Sequence, residues 1–219
     1  MTIYYDAGTI LKSVGALTEQ DAVLPVGTDL TVRIQYLNDA LGEWADKYKW
    51  NDLRVQYPFV TSNESTVSVG LPSNFRQPLS SVWEYTDNGN KIEHKIILGE
   101  DRFDKDANTK EVYISGPILS KSIQFINAMP SGVSLVIDYM SFPTSVATMT
   151  DFVPISSSQY LVKRVASMVF QARGDSRFPQ LYAEAQNLLA STIEEQNVPF
   201  GRLNRIPMNT FGFTMGVDG

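Results

Sequence analysis

Side chains that carry out acid–base or nucleophilic chemistry are scarce in this sequence. It contains no cysteine and one histidine, His94, which excludes a disulfide framework, a cysteine nucleophile and a histidine-based metal cluster. His94 lies in residues 91–95, where it occupies a polar position of a predicted strand. We expect its imidazole to be a solvated surface group. The sequence therefore predicts no catalytic residue, no metal ligand and no cofactor.

Two short motifs resemble known sites but have simpler interpretations. Residues 104–108 begin like a calcium-binding loop, with oxygen ligands at alternate positions. That loop requires glycine where Thr109 stands and a bidentate glutamate where Ser115 stands, so we interpret it as a solvated charged turn. Residues 173–175, Arg-Gly-Asp, match a cell-adhesion motif. Their glycine and aspartate are also the signals that end one helix and begin the next, and we predict this second role.

The composition is that of a folded, acidic protein. The chain has 219 residues, a net charge of −6, 43% hydrophobic residues and 19% charged residues, which suffices for one large domain or two small ones. No apolar run approaches the roughly 20 residues that cross a bilayer, and no secretion signal is visible at the start. We expect a protein without a membrane segment, in the compartment where it is made. The negative charge argues against broad binding to phosphate groups.

Helices are predicted on both sides of a β region. Together with the strands, these helices would position the side chains of any functional surface. Residues 28–48 have the helical period, with Thr28 or Asp29 as the N-cap and Arg33 facing away from the apolar stripe. A short helix is predicted before it, ending near Gly15. The stripe of the long helix consists of Leu30, Ile34, Leu37, Leu41, Trp44 and Tyr48.

A second helical zone follows Pro154. Residues 157–173 carry a broad apolar stripe that includes Met168, and Gly174 is predicted to end this helix. The next helix has a continuous apolar face that includes Leu188, and Pro179 is tolerated in its first turn. Because the connection between them is short, we predict an antiparallel αα-hairpin.

The middle of the chain, residues 52–143, is rich in β-branched and aromatic residues divided by turn signals. Residues 86–90 (TDNGN) predict a tight hairpin, and residues 129–132 (MPSG) predict another turn. The predicted strands are residues 54–60, 65–69, 81–85, 92–97, 122–126 and 133–139.

The C-terminal segment has no helical period, because glycine and proline interrupt it, yet it is apolar. Free tails are normally polar. We therefore predict that residues 200–219 form an extended arm that binds a partner protein or an adjacent subunit, with Phe211 and Phe213 on the same side of a strand. The alternative is an arm that folds back over its own subunit. The predicted partner-binding residues are Phe200, Arg202, Leu203, Arg205, Ile206, Met208, Phe211, Phe213 and Met215.

The order of these zones resembles the head-to-tail connector (adaptor, or head completion) proteins of tailed bacteriophages, over roughly residues 8–195. The similarity is in the order and spacing of several short motifs, each of which is weak alone. The motifs are residues 36–40 (YLNDA) leading to Trp44 and Trp50, 57–59 (YPF), 69–75 (VGLPSNF), 113–117 (YISGP), 123–125 (IQF), 136–143 (VIDYMSFP) and 151–154 (DFVP).

The resemblance implies an α+β fold: a helical bundle, made of a long helix and a C-terminal αα-hairpin, with an inserted antiparallel β region. Residues 1–199 would form one connector domain, helical over 1–50 and 154–197 with the β insertion over 51–145. The segment beyond Asn197 departs from the family's pattern, and the arm is predicted from its own residues. In a connector this arm would bind the portal or the adjacent subunit. The resemblance also implies a virion protein without enzymatic activity, assembled in the host cytoplasm. The subunits would form a ring, dodecameric in the family, that joins the portal protein to tail or nozzle proteins. Genomic DNA would pass through the ring without specific binding.

Two other classes of function remain open from the residues. Aromatic residues of the β region could hold sugars in a receptor- or carbohydrate-binding module of the virion, although we interpret them as sheet core. A cell-wall hydrolase is disfavoured because the sequence offers no convincing pair of catalytic groups. The aromatic residues are Trp83, Tyr85, Phe103 and Tyr113.

Overall fold

The computed structural model describes residues 5–19, 24–62, 65–86, 88–104, 109–155 and 157–197. Within these ranges the chain forms helices, then a block of strands, then helices again. The predicted α+β class is confirmed. The predicted helical bundle with a small antiparallel insertion is wrong, because the dominant element is a curled, seven-stranded mixed sheet.

The large sheet has the strand order β2-β8-β4-β5-β6-β7-β3. All its pairs are antiparallel except β5 with β6, which are parallel. That parallel pair requires a crossover rather than a hairpin, and the chain makes it through a 3-10 helix at Gly99–Asp104. The strands are β2 Arg54–Val60, β3 Thr66–Gly70, β4 Phe75–Tyr85, β5 Lys91–Ile97, β6 Glu111–Ser115, β7 Ser122–Met129 and β8 Ser134–Ser141.

The helices form a separate layer. Among the described residues they are α1 Ala7–Thr18, α2 Gly27–Lys47, α3 Gln159–Arg173 and α4 Phe178–Asn197. Two short strands, β1 Tyr5–Asp6 and β9 Phe152–Val153, pair antiparallel and hold the start of α1 against the segment before α3. The α3–α4 hairpin is confirmed: Gly174 ends α3 with a φ of 68°, and the Asp175 carboxylate accepts a hydrogen bond from the Arg177 N–H at 2.9 Å.

Three local predictions for these helices are wrong. No side chain caps α2, whose N-cap is Val26. The short first helix continues past Gly15, which is buried. Arg33 faces inward and is only 1% exposed, and its guanidinium binds Glu19 and Asp29. Arg33 lies four residues before Leu37, so the helical period itself places it on the buried stripe.

Two apolar cores hold the molecule together. One lies among the helices and includes Leu37, Trp44 and Leu161, all essentially inaccessible to solvent. The other fills the inner side of the curled sheet and includes Val82, Val112 and Ile137. The helical core also includes Met140 of β8, so apolar burial stabilises each layer and also joins the helices to the sheet.

Polar contacts and an aromatic pair connect the two layers at the start of the sheet. Arg76 of β4 donates a hydrogen bond to the Ala45 carbonyl at 2.6 Å and pairs with Asp46 at 2.7 Å. Trp44 and Trp50 stack with ring centroids 4.6 Å apart. The start of β2, directly after Trp50 and a turn of 3-10 helix at Asn51–Leu53, is therefore fixed to the end of α2.

Candidate interaction surface

The nine residues predicted to bind a partner all lie outside the described residues. The structure does describe the place where their segment begins, at the end of α4. Tyr48 donates a hydrogen bond to Asn197 at 2.7 Å, and the Asn51 amide donates one to Gln196 at 2.9 Å. These contacts hold the end of α4 beside the residues that lead into β2.

The strand β2 is an edge of the large sheet. No strand among the described residues pairs with its outer side. An unpaired edge offers backbone N–H and C=O groups that can pair with another chain. Pro58 lies within β2, as is common on edge strands, where a missing N–H is tolerated.

The core under this edge is incompletely covered. Val55 and Tyr57 pack against the sheet core but are only half-buried, whereas Val82 and Ile137 in central strands are fully buried. On the other side of β2, Val60 is 60% exposed. The β2 edge thus combines unpaired backbone with accessible apolar side chains, as sites of strand addition do.

A second apolar surface lies at the end of the parallel pair β5–β6. Parallel strands end at the same side of a sheet, so Leu98 after β5 and Ile118 and Leu119 after β6 lie at one end of it. All three are exposed, and so is Phe103 in the crossover. We call Leu98, Ile118 and Leu119 the apolar tip. Exposed clusters of this kind commonly mark protein interfaces.

A tight turn shapes the apolar tip. Gly116 has a φ of 101°, and a Cβ there would collide with the Ser120 carbonyl oxygen. The Ser120 N–H donates a hydrogen bond to the Pro117 carbonyl at 2.9 Å. The glycine is therefore required for the turn that presents Ile118 and Leu119.

His94 is not a surface residue, which corrects the sequence-based prediction. It is 3% exposed, and its Nε2 lies 2.9 Å from the Glu84 carboxylate on the neighbouring strand. Its ring also meets the edge of Phe125. The period of two in β5 places His94 on the same face as Ile92 and Ile96, so alternation was the signal that could have identified its burial.

The His94–Glu84 pair borders a cavity of about 250 Å³ that Glu111, Asn127 and Met129 also line. Among the described residues, no group of three histidine, aspartate or glutamate side chains is placed to hold a metal ion. One imidazole hydrogen-bonded to one carboxylate could transfer a proton, but a proton acceptor alone defines no reaction. We assign the pair a role in positioning β4 and β5.

The aromatic residues that could hold a sugar are not in the sheet core: Trp83, Tyr85 and Tyr113 lie on the outer face of the sheet, and Phe103 lies in the crossover. Tyr85 and Phe103 are exposed, and Trp83 and Tyr113 are half-buried. Trp83 pairs with Glu93 and Tyr113 with Ile97, which separates them by about 13 Å along β5 and by two strands across the sheet. They do not form a single platform for one sugar ring.

Charged side chains connect the helices rather than forming a site. Arg164 of α3 donates two hydrogen bonds to the Glu43 carboxylate of α2, at 2.7 and 2.6 Å. Arg173 donates one to Glu19, after α1, at 2.9 Å. The hydrogen bond from Arg173, with the one from Arg33, lowers the pKa of Glu19 below its usual value.

No protein-family model matches this sequence, and no curated protein matches it significantly. Among the described residues, no helix has the length and apolar character needed to span a membrane.

Proposed function

We propose that this protein is a structural subunit of a ring in the neck of a tailed-phage virion, where it joins the capsid portal to the tail and extends the DNA channel. The proposal rests on the resemblance to connector proteins. The order of helices, strands and helices along the chain is compatible with it, although the sheet is larger than expected.

The observation that supports the proposal is the presence of two unlike, incompletely covered surfaces among the described residues of one subunit, the β2 edge and the apolar tip. A closed ring needs a heterologous interface, in which one surface of each copy meets a different surface of the next. A connector also needs a further surface for the portal or the tail. Two unlike surfaces suit this arrangement better than a self-complementary dimer.

The test is electron microscopy of the full-length protein, alone and mixed with the portal protein encoded in the same genome. We expect closed rings of one copy number, twelve if the family pattern holds, stacked on the portal. A protein that stays monomeric, or forms only trimers, in the presence of the portal would contradict the proposal.

The alternative is a receptor- or carbohydrate-binding module of the virion, and the outward placement of Trp83 and Tyr85 favours it. These side chains share one face of β4 two residues apart, so they could contact a flat ligand. Binding of host-surface glycans that is lost in Trp83→Ala, together with a trimeric or monomeric state, would favour this alternative over the ring.

A further inference from the structure

We propose that the β2 edge of one subunit is the docking site for residues 209–215 of an adjacent copy, which add to the sheet as an extra strand. This inference rests on the proposed ring and names the surface that receives the arm.

The chemistry of the two partners matches. In an extended strand, Phe211, Phe213 and Met215 point to one side and Thr210, Gly212 and Thr214 to the other. The added strand would place its apolar side chains next to Val55 and Tyr57, the half-buried residues of the sheet core. Its threonines would lie on the outer face beside Gln56, which is exposed. The outer side of β2, which no described strand pairs with, would gain backbone hydrogen bonds.

The position of the arm's origin makes the contact possible. The hydrogen bonds of Tyr48 and Asn51 fix the end of α4 beside the residues that lead into β2. Cyclic symmetry keeps equivalent points at one height along the ring axis, so each arm begins level with the start of β2 in the next copy. Residues 198–208 can bridge about 36 Å at roughly 3.3 Å per residue, and β2 itself is about 23 Å long.

Strand direction favours an adjacent copy over the chain's own edge. By the most direct path, a chain's own arm enters at the start of β2, beside the end of α4, and runs parallel to it. Parallel pairing is slightly less stable per residue. An arm from another copy can enter from the opposite end and pair antiparallel. It also links two subunits, which an arm folded on its own subunit does not.

The absence of cysteine permits a direct test in the full-length chain. One set of chains carries Thr210→Cys or Thr214→Cys in the arm, and a second set carries Gln56→Cys or Val60→Cys on the β2 edge. Mixing the sets under mild oxidation should give covalent dimers. The control is a chain with Ser176→Cys in the α3–α4 turn. Mixed with the same arm variants, it should give at least tenfold fewer covalent dimers. Adding Phe213→Ser to the Thr214→Cys chain should lower the yield at least tenfold, whereas adding Asn209→Ser should not.

Several outcomes would overturn the inference. One is cross-linking within a single chain that carries both Gln56→Cys and Thr214→Cys; another is a yield no higher than that of the Ser176→Cys control. If the micrographs show rings but these cross-links do not form, the arm contact is contradicted and the proposed function is not. Cross-links without rings, even with the portal present, would support the arm contact and contradict the proposed function.

Discussion

At the scale of single residues, the least expected feature is a buried polar pair inside the sheet. The His94 Nε2 and the Glu84 carboxylate form a hydrogen bond of 2.9 Å between β5 and β4. Removing one member leaves the other without its partner at a largely buried position, which costs more than the pair contributes. Replacing both members by apolar residues avoids that cost.

We therefore predict that His94→Leu lowers the free energy of unfolding by about 1–3 kcal/mol, because it leaves the Glu84 carboxylate unpaired. The double variant His94→Leu/Glu84→Leu should recover most of this loss. Glu93→Ala, a change at the exposed neighbouring position of β5, should stay within about 0.5 kcal/mol of the parent. Urea unfolding followed by circular dichroism measures all three. A single variant as stable as the parent would show that the pair does not hold the strands.

The lowered pKa of Glu19 predicts a pH dependence with a definite sign. A carboxyl group whose pKa is lower in the folded state stabilises the fold above its unfolded value of 4.5 and loses that contribution as the pH falls. Glu19→Gln should therefore be less stable than the parent at pH 7. The difference should shrink below about pH 4.5. Glu195→Gln, at an exposed position of α4, serves as the control. A difference that stays constant from pH 7 to pH 3 would contradict the assignment.

At the scale of elements, α3 is the centre of the helical layer, and α4 is its outer member. Leu161 and Val165 of α3 are fully buried, and α3 packs against α1, α2 and α4. In α4 only Ala185 and Leu189 are fully buried. Met168 and Leu188, which belong to the predicted apolar stripes, are only half-buried. The apolar burial that stabilises the hairpin is therefore greater in α3 than in α4.

We predict that Leu161→Ala lowers the free energy of unfolding by about 2–5 kcal/mol, since it removes fully buried atoms and leaves a cavity. Met168→Ala should cost clearly less, because its side chain already contacts solvent and the site can relax. Thermal unfolding followed by circular dichroism compares the two variants directly. If both variants lost the same free energy of unfolding, the difference in burial between Leu161 and Met168 would not determine their contributions to stability.

At the scale of the whole molecule, the described residues that make up the two cores all precede the C-terminal arm. The arm should then be dispensable for folding and necessary for assembly. Deleting residues 200–219 should leave a folded protein whose Tm is nearly that of the parent and that no longer assembles into rings on the portal. Calorimetry and co-sedimentation with the portal measure the two effects separately. If the truncated protein unfolds, or assembles into rings on the portal normally, the arm is not the coupling element.

The charge of the molecule suits a channel that passes DNA without retaining it. The net charge is −6, and without residues 200–219 it is −7, because that segment carries Arg202, Arg205 and Asp218. Negative charges on a protein do not displace the cations that surround DNA, so the counterion release that drives nonspecific DNA binding is missing. We predict no submicromolar binding of duplex DNA at physiological salt, measured by fluorescence anisotropy. Tight binding that weakens steeply as salt rises would contradict a passive channel.

The sequence alone determined features that depend on neighbours along the chain. The predicted helix 28–48 matches α2 at Gly27–Lys47, and the predicted strand 54–60 is β2. The hairpin at residues 86–90 joins β4 and β5 as expected. These succeed because helical and strand periods, glycine and proline act over a few residues. The helical and strand periods also place Arg33 and His94 on buried faces. Their polar side chains favour exposed positions, so residue type alone predicts the opposite.

Only the tertiary structure decided which strands pair and how large the sheet is. The segment 111–115 was not predicted as a strand, yet it pairs parallel with β5 and antiparallel with β7. The strands on either side of the turn at residues 129–132 do not pair with each other, because β7 lies between β6 and β3 while β8 lies between β2 and β4. Pairing of distant strands depends on which apolar faces combine when the chain collapses, and no local pattern specifies that choice. The open β2 edge beside the end of α4 follows from this pairing, so the surface that we propose receives the arm could be found only in the folded chain.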